Sequence, residues 1–288
     1  MPLPDKRIAA VLQDKVASVG VARKLQPRHV AKPWGRINLP SVFGHIGPDP
    51  IGEIWYEGEE SDLPLLVKHI FTSERLSIQV HPGDAAAIAE GLPGGKEEIW
   101  YILDCEPGAR LGIGLNRAVS PEQFRAAALD GSIEQLINWQ PVRPGDCYFI
   151  PAGTVHAIGA GIMLAEVQQN VDVTYRLYDY GRPRELHLDQ GLAVSHLAPY
   201  DRPVVHAPSG QDAGCISPSN APFHLELRHW QSGEHVQLPN ARRIWFTPLD
   251  GSGMINGAPW AKGDCWLIDQ NCRLQIDTPC SALLATTP

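Results

Sequence analysis

Four side chains far apart in the chain, Gln79, His81, Glu98 and His156, are of the types that can share one divalent cation. Gln79 and His81 lie in Ser77-Ile78-Gln79-Val80-His81-Pro82. In a strand, residues i and i+2 face the same side, so these two project together while Ile78 and Val80 face the other way. Lys96 and Glu98 share a face in the same manner if their strand begins that early. His156 closes the stretch Gly145 to His156, in which Tyr148, Phe149 and Ile150 suit a half-buried pleated surface. Pro151 stops that strand and Gly153 permits a reversal, so the turn delivers His156 to a fixed place. Two neutral imidazoles, one carboxylate and one amide oxygen meeting at a point would give mixed N/O ligation. That set suits Zn2+ with an open position for water or substrate, with Mn2+, Fe2+ or Co2+ as other occupants. Taken singly, each residue has an ordinary reading: Gln is a rare ligand, Glu98 a surface charge, His81 a turn cap.

The elements that must position these groups are strands. The spacing Gly-x5-Pro-x-Gly-x2-His over residues 145–156 resembles the second motif of the cupin superfamily, whose members are double-sheet jelly rolls. In many cupins this His binds a metal inside the barrel, with partners from an earlier pair of strands, here 77–82 and 94–101. Gly and Pro number 27 and 26 in 288 residues, and short apolar runs lie between turn signals, which points to an all-β, β-rich fold with short helices. Strands are expected near 40–45, 51–57, 64–72, 74–80, 97–103 and 110–114, and from about 139 to about 200. Asp84 is expected to cap a short helix over 85–90. Ile8, Leu12, Val16 and Val19 have helical spacing, so a helix over 5–24 is expected to pack on the barrel. Ser120-Pro121-Glu122-Gln123 combines an N-cap, a Pro at the first helical position and a capping-box Gln. Gly131 to Gln135 repeats that logic, which predicts a small helical insertion over 116–138.

Gly145-Asp-Cys-Tyr-Phe-Ile is echoed by Gly263-Asp-Cys-Trp-Leu-Ile, and Ile99-Trp100-Tyr101 by Ile244-Trp245-Phe246. The chain therefore reads as tandem jelly-roll barrels: an N-terminal helical segment (1–30), a catalytic metal-binding cupin domain (31–205) and a degenerate cupin-like domain without a metal site (206–288). In the second copy Asp269 replaces the Pro, no His follows it, and Arg243 stands where Glu98 stands.

The formal net charge of -8, with no basic block, argues against a nucleic-acid partner. No apolar run approaches the roughly 20 residues of a membrane span, and the start lacks the apolar core of a signal peptide. The six cysteines include no C-x-x-C pair, so reduced thiols in a cytoplasmic protein, monomer or homodimer, are expected.

Several motifs then agree in order. Lys32-Pro33-Trp34-Gly35, Gln79-Val-His81-Pro-x-Asp84, Gly95-Lys96-Glu-Glu98-Ile-Trp100-Tyr101, Pro151-Ala-Gly-Thr-Val-His156-Ala and Asp172-Val-Thr-Tyr-Arg176-Leu-Tyr-Asp-Tyr-Gly-Arg182 together resemble the type I mannose-6-phosphate isomerases, in their short bacterial form. The resemblance spans about residues 30–190 and is faint beyond 200. It implies a zinc enzyme that interconverts mannose 6-phosphate and fructose 6-phosphate. By motif, Gln79, His81, Glu98 and His156 fall on the family's metal ligands, Lys96 and Arg176 on its active-site cations, and Glu166 and Asp172 on acidic positions of its site. Short forms lack the extra helical domain of the larger enzymes, so phosphate contacts from that domain do not carry over.

The chemistry implied is proton transfer between C1 and C2 through a cis-enediolate. Lys96 and Arg176 would stabilise the enediolate oxygens, with one of them also expected to meet the phosphate. Glu166 is the first choice for the shuttling base and Asp172 the second. The ordinary reading of both acids is an ion pair with a nearby Lys or Arg. Two other functions fit a cupin: a metal-dependent dioxygenase, against which the Lys96 and Arg176 pair argues, and a non-catalytic sugar-binding protein. Trp34, Trp100 and Tyr101 read as barrel core, and His187 and His196 as surface or packing residues.

Overall fold

The computed structural model describes residues 20–44, 47–59 and 63–287. Twelve of its strands form two antiparallel sheets that face each other. One is seven-stranded, in the order Val205–His206, Asp146–Ile150, Glu98–Cys105, Ile162–Gln169, Leu65–Phe71, Ile51–Glu57, Gln26–Arg36. The other is five-stranded, in the order Tyr175–Tyr178, Ile78–Val80, His156–Ile158, Arg110–Leu115, Ile137–Pro141. A second unit stacks a six-stranded sheet on a three-stranded one. The chain is a tandem of jelly-roll barrels, as the sequence patterning suggests.

The seven-stranded sheet is covered on both faces, and its alternation assigns each side chain to a face. Ile99 and Tyr101, Val67 and Phe71, Val167 and Phe149 point outward, where they pack against Phe223, Leu225, Leu227, Leu283 and Ala285 of the second unit. Trp100, Ile102, Tyr148, Ile150, Ile70 and Leu164 point inward, against Leu111, Ile113 and Ile158 of the five-stranded sheet. The run Leu65-Leu66-Val67-Lys68-His69-Ile70-Phe71 is nearly all apolar because both faces of its strand are buried. The outer face of the five-stranded sheet, with Ile78, Val80, Ala157, Tyr175 and Leu177, is covered by the helix Pro121–Asp130 through Phe124 and Ala128.

The two echoed sequence segments behave differently. Cys147 and Phe149 face the interface between units and Tyr148 and Ile150 face the barrel interior; Cys265 and Leu267, then Trp266 and Ile268, divide in the same phase. The Ile-Trp-Tyr echo is out of phase by one. Trp100 faces its barrel, whereas Trp245 faces the interface, and Ile244 and Phe246 fill the second unit. A one-residue slip exchanges the two faces of a strand, so a match of letters there is not a match of positions.

Several local expectations change. The helix expected over 5–24 does not reach its end: Ala22–Lys24 is a strand paired with Trp266–Ile268, and residues 1–19 lie outside the described residues. Pro40 opens a short 3-10 turn over Ser41–Phe43 in place of a strand. The strand expected over 74–80 is confined to Ile78–Val80, because Ser73 and Glu74 donate their backbone N–H groups to the Trp34 carbonyl. Gly83, not Asp84, is the N-cap of Asp84–Ala89. The capping box at Ser120 and Gln123 forms in both directions, but Ser132 makes no side-chain cap bond and its helix is one turn, Ile133–Leu136. A helix not expected, Leu188–Val194, interrupts the β region and lays Leu188, Leu192 and Val194 against the five-stranded sheet.

Candidate active site

His156, Gln79 and Arg176 form one row across the five-stranded sheet: His156 pairs with Gln79, and Gln79 with Arg176. Glu98 comes from the opposite sheet, where it pairs with Ile150 and Gln168. Both sheets turn these residues inward, so groups 77 residues apart in sequence meet; Gln79 Nε2 lies 3.3 Å from His156 Nε2.

Two tight backbone approaches complete the placement. Gly153 has φ 79°, and a Cβ there would lie 2.8 Å from the Val194 carbonyl oxygen, so only glycine suits the turn that presents His156. Gly95 packs so closely on Gly83-Asp84 that a Cβ would come within 2.5 Å of backbone. Its N–H donates to Asp84 Oδ1 at 2.7 Å, and the next N–H, that of Lys96, donates to the Pro82 carbonyl at 3.0 Å. Asp84 is thus a clamp between two loops. Lys96 precedes the strand, which begins at Glu98, yet its Nζ lies 3.1 Å from Glu98 Oε1.

His81, Glu98 and His156 are buried and offer ligand atoms within 4.8 Å of one another. His81 Nε2 is 3.2 Å from Glu98 Oε1, and neither His81 ring nitrogen has a hydrogen-bond partner of good geometry. His156 Nδ1 lies 2.9 Å from the Thr154 carbonyl oxygen, which fixes the proton on Nδ1 and leaves the Nε2 lone pair directed into the site. Burial, with Lys96 next, pushes the His81 pKa down to about 3, and burial lowers that of His156 as well. Burial alone would raise Glu98, but Lys96, 3.1 Å away, holds its carboxyl well below the usual range. Neutral imidazoles around a charged carboxylate are the protonation states that a metal requires. Unpartnered buried nitrogens and this donor set fit a divalent cation. The Gln79 amide presents Nε2 to His156, and half a turn about its last bond would present Oε1 instead.

The cluster opens on a cleft also lined by Lys96, Glu166, Asp172, Thr174, Arg176 and Arg184. Asp172, Thr174 and Arg176 all reach it, with Val173, Tyr175 and Leu177 buried on the other side, although the strand proper starts only at Tyr175. Arg176 Nη1 donates to the Glu185 carbonyl at 2.7 Å, whereas its buried Nε has no partner. Burial, then the neighbouring Arg184, lowers the Arg176 pKa. Volume alone does not find this site: a hollow of about 230 Å³ between the two units, lined by Phe43, Met163 and Leu249, gathers no such set.

Glu166 has the ion pair that its ordinary reading calls for. A single row of the seven-stranded sheet runs Tyr148, Trp100, Glu166, Lys68, Trp55, Arg28. Lys68 Nζ lies 3.0 Å from Glu166 Oε1 and 3.8 Å from Glu53 Oε2. Trp100 Nε1 donates to Glu98 Oε2 at 3.1 Å and to Glu166 Oε2 at 3.0 Å, so the indole ties the two carboxylates together. Trp100 is therefore more than core packing. Burial, then Glu98, raises the Glu166 pKa against the pull of Lys68. Lys68 is a site residue that the sequence reading missed. Its signal was a lone charge inside an apolar run. Lys32, which opens the Lys32-Pro33-Trp34-Gly35 motif but was given no role there, lines the same cleft, as do Glu53 and Trp55, which no local pattern marks. His196 packs against the Gly153 turn and His187 Nδ1 accepts the Arg176 N–H at 3.3 Å, so both serve packing.

No family model matches the chain. Mannose-6-phosphate isomerase ManA of Bacillus subtilis is 35% identical over 223 residues, which cover 73% of this chain and 70% of that protein. Mannose-6-phosphate isomerase of Streptococcus mutans is 39% identical over 212 residues, covering 70% and 66%. The crystal structure of the mannose 6-phosphate isomerase from Bacillus subtilis superposes with a TM-score of 0.73 at 27% identity, over 91% of this chain and 98% of that one. A mannose 6-phosphate isomerase bound with zinc and yttrium shares the fold at a TM-score of 0.66 and 15% identity, over 92% and 99%. With two curated relatives above 30% identity over most of its length, and the buried His-Glu-His cluster in place, the chain belongs to the mannose-6-phosphate isomerase family.

Proposed function

We propose that this protein is a zinc-dependent aldose-ketose isomerase that interconverts mannose 6-phosphate and fructose 6-phosphate through a cis-enediolate. The observation that carries this reading is the buried cluster of His81, Glu98 and His156, with ligand atoms within 4.8 Å of one another, at the base of a cleft lined by Lys96 and Arg176. Gln79, His81, Glu98 and His156 would hold the metal. When bound, zinc would polarise the sugar's carbonyl and hydroxyl oxygens as a Lewis acid; the zinc in a solved isomerase of this fold supports that choice of ion. The domain limits of 31–205 for the catalytic unit and 206–288 for the second, and action in the cytoplasm as a monomer or homodimer, belong to the same proposal. Among the described residues no helix is long and apolar enough to cross a membrane, and all six cysteines are free.

The chain's own groups would do the following. Lys96 and Arg176 place two cations where negative charge develops on the enediolate oxygens. Glu166, with its raised pKa, carries the proton between C1 and C2, and Lys68 and Trp100 hold its carboxylate in place. Asp172, exposed at the mouth, is the second candidate.

The direct test is conversion of mannose 6-phosphate by metal-loaded protein, with deuterium exchange at C2. A protein that binds the sugar without exchanging that proton would overturn the proposal. Two substitutions assign the roles. Glu166→Gln is expected to lower kcat by about a thousandfold and abolish exchange, while Asp172→Asn leaves exchange in place; the reverse pattern would make Asp172 the base. Arg176→Ala is expected to lower kcat about a hundredfold, the usual loss for one donor to an oxyanion, with KM within about threefold. A change confined to KM would mark Arg176 as a binder only.

A further inference from the structure

The cations of the cleft differ in what balances them. Lys32, Lys68 and Lys96 each have a carboxylate inside the cleft: Glu53 at 3.3 Å, Glu166 at 3.0 Å and Glu98 at 3.1 Å. Arg176 and Arg184 do not. Arg176 spends Nη1 on a backbone carbonyl and keeps a buried, unpartnered Nε. Arg184 gives Nε and Nη2 to Asp179 Oδ2 and Oδ1, at 2.5 and 2.7 Å, and its Nη1 makes no hydrogen bond among the described residues. Asp179, only 2% exposed, also accepts from Arg182 Nε at 3.1 Å. Two arginines, 182 and 184, therefore share one buried carboxylate, and Glu74 reaches only Arg182, at 3.7 Å, so Arg184 and Arg176 are the cations of this end of the cleft with donors left over. A phosphomonoester carries about -1.5 to -2 at pH 7 and accepts several charge-assisted hydrogen bonds.

The loop that carries Arg182 and Arg184 is held in shape. Tyr180 adopts φ 53°, and its ring meets the Arg75 and Arg182 guanidinium groups, 4.3 and 5.5 Å from its centre. Arg182 Nη2 donates to the Arg75 carbonyl at 2.7 Å, which ties the loop to the segment preceding Ile78–Val80. Donors held by a rigid frame bind an anion without first being ordered.

We propose that Arg184 is the residue that recognises the phosphate of the substrate, and that Asp179 is the positioning residue that fixes its guanidinium, leaving Arg176 free to act on the enediolate. This inference rests on the isomerase reading for its substrate, and its test does not depend on turnover. Sorbitol 6-phosphate, which has no carbonyl to isomerise, is titrated calorimetrically into metal-loaded wild type, Arg184→Met, Arg184→Lys and Asp179→Asn, with sorbitol as the unphosphorylated control. Arg184→Met is expected to weaken sorbitol 6-phosphate about 30-fold, and Arg184→Lys about fivefold, because charge stays but the fork is lost. Asp179→Asn is expected to cost about tenfold, confined to the phosphorylated ligand and with KM rather than kcat changed for mannose 6-phosphate. Wild type that does not bind sorbitol 6-phosphate, or Arg184→Met and Arg184→Lys that bind it as wild type does, would overturn the assignment. Turnover of mannose 6-phosphate by wild type judges the isomerase reading separately.

Discussion

Replacing His156 with Ala is expected to empty the metal centre and abolish activity while the protein stays folded. The His156 ring is held at Nδ1 by the Thr154 carbonyl and packs edge-on to Trp100 at 5.3 Å, so its Nε2 has a defined direction that no neighbour can replace. Without it, His81 and Glu98 remain as a two-residue site, and Glu98 still has Lys96 at 3.1 Å to balance its charge. Metal content after gel filtration should fall below about a tenth of an equivalent, and kcat/KM by about a thousandfold or more. Circular dichroism and the melting temperature of the metal-free forms should agree between variant and wild type. A variant that keeps both stoichiometric metal and full activity would refute the ligand assignment.

Lys68→Met is expected to have the largest effect on stability. Lys68 is 5% exposed and faces Glu166 and Glu53, both also buried, and its pKa is raised by those two acids in spite of burial. Removing one side of a buried charge cluster strands the other, at a cost of about 3–5 kcal/mol, or a fall in melting temperature of about 10 °C in a chain of this size. The double variant Lys68→Met/Glu166→Gln should recover most of that loss, since the stranded charge is gone while Glu53 keeps Lys32 at 3.3 Å. Thermal melts of the metal-free proteins provide the check; a single variant that melts within 2 °C of wild type, taken as about the error of the measurement, would show that water reaches the cluster and screens it.

Much of this site could be read before any fold was built. The i, i+2 spacing of Gln79 and His81 and the Pro-x-Gly turn before His156 are local patterns, and both are kept in the structure. So does the capping box at Ser120, because a helix start is decided within four residues. The misreadings share a cause. Asp84 has the chemistry of a cap, but its oxygen is claimed by Gly95, eleven residues on. Leu188 and Leu192 carry helical spacing, yet seven residues are too few for periodicity to outweigh the β pattern around them.

What the chain determined unaided, then, is the alternation of its strands, the turns that end them and the identity of the groups turned inward. Tertiary structure alone decided which inward groups are neighbours. Lys68 sits beside Glu166, and Arg176 beside Gln79, because of the register between strands about a hundred residues apart. The arginine-rich loop is folded back by its bonds to Asp179 and Arg75. Strand patterning specifies the face on which a side chain lies but not its partner across the sheet, since every register that keeps the apolar faces buried satisfies the same pattern. Packing the two sheets against the second unit removes that freedom, and with it comes the charge arrangement on which the chemistry depends.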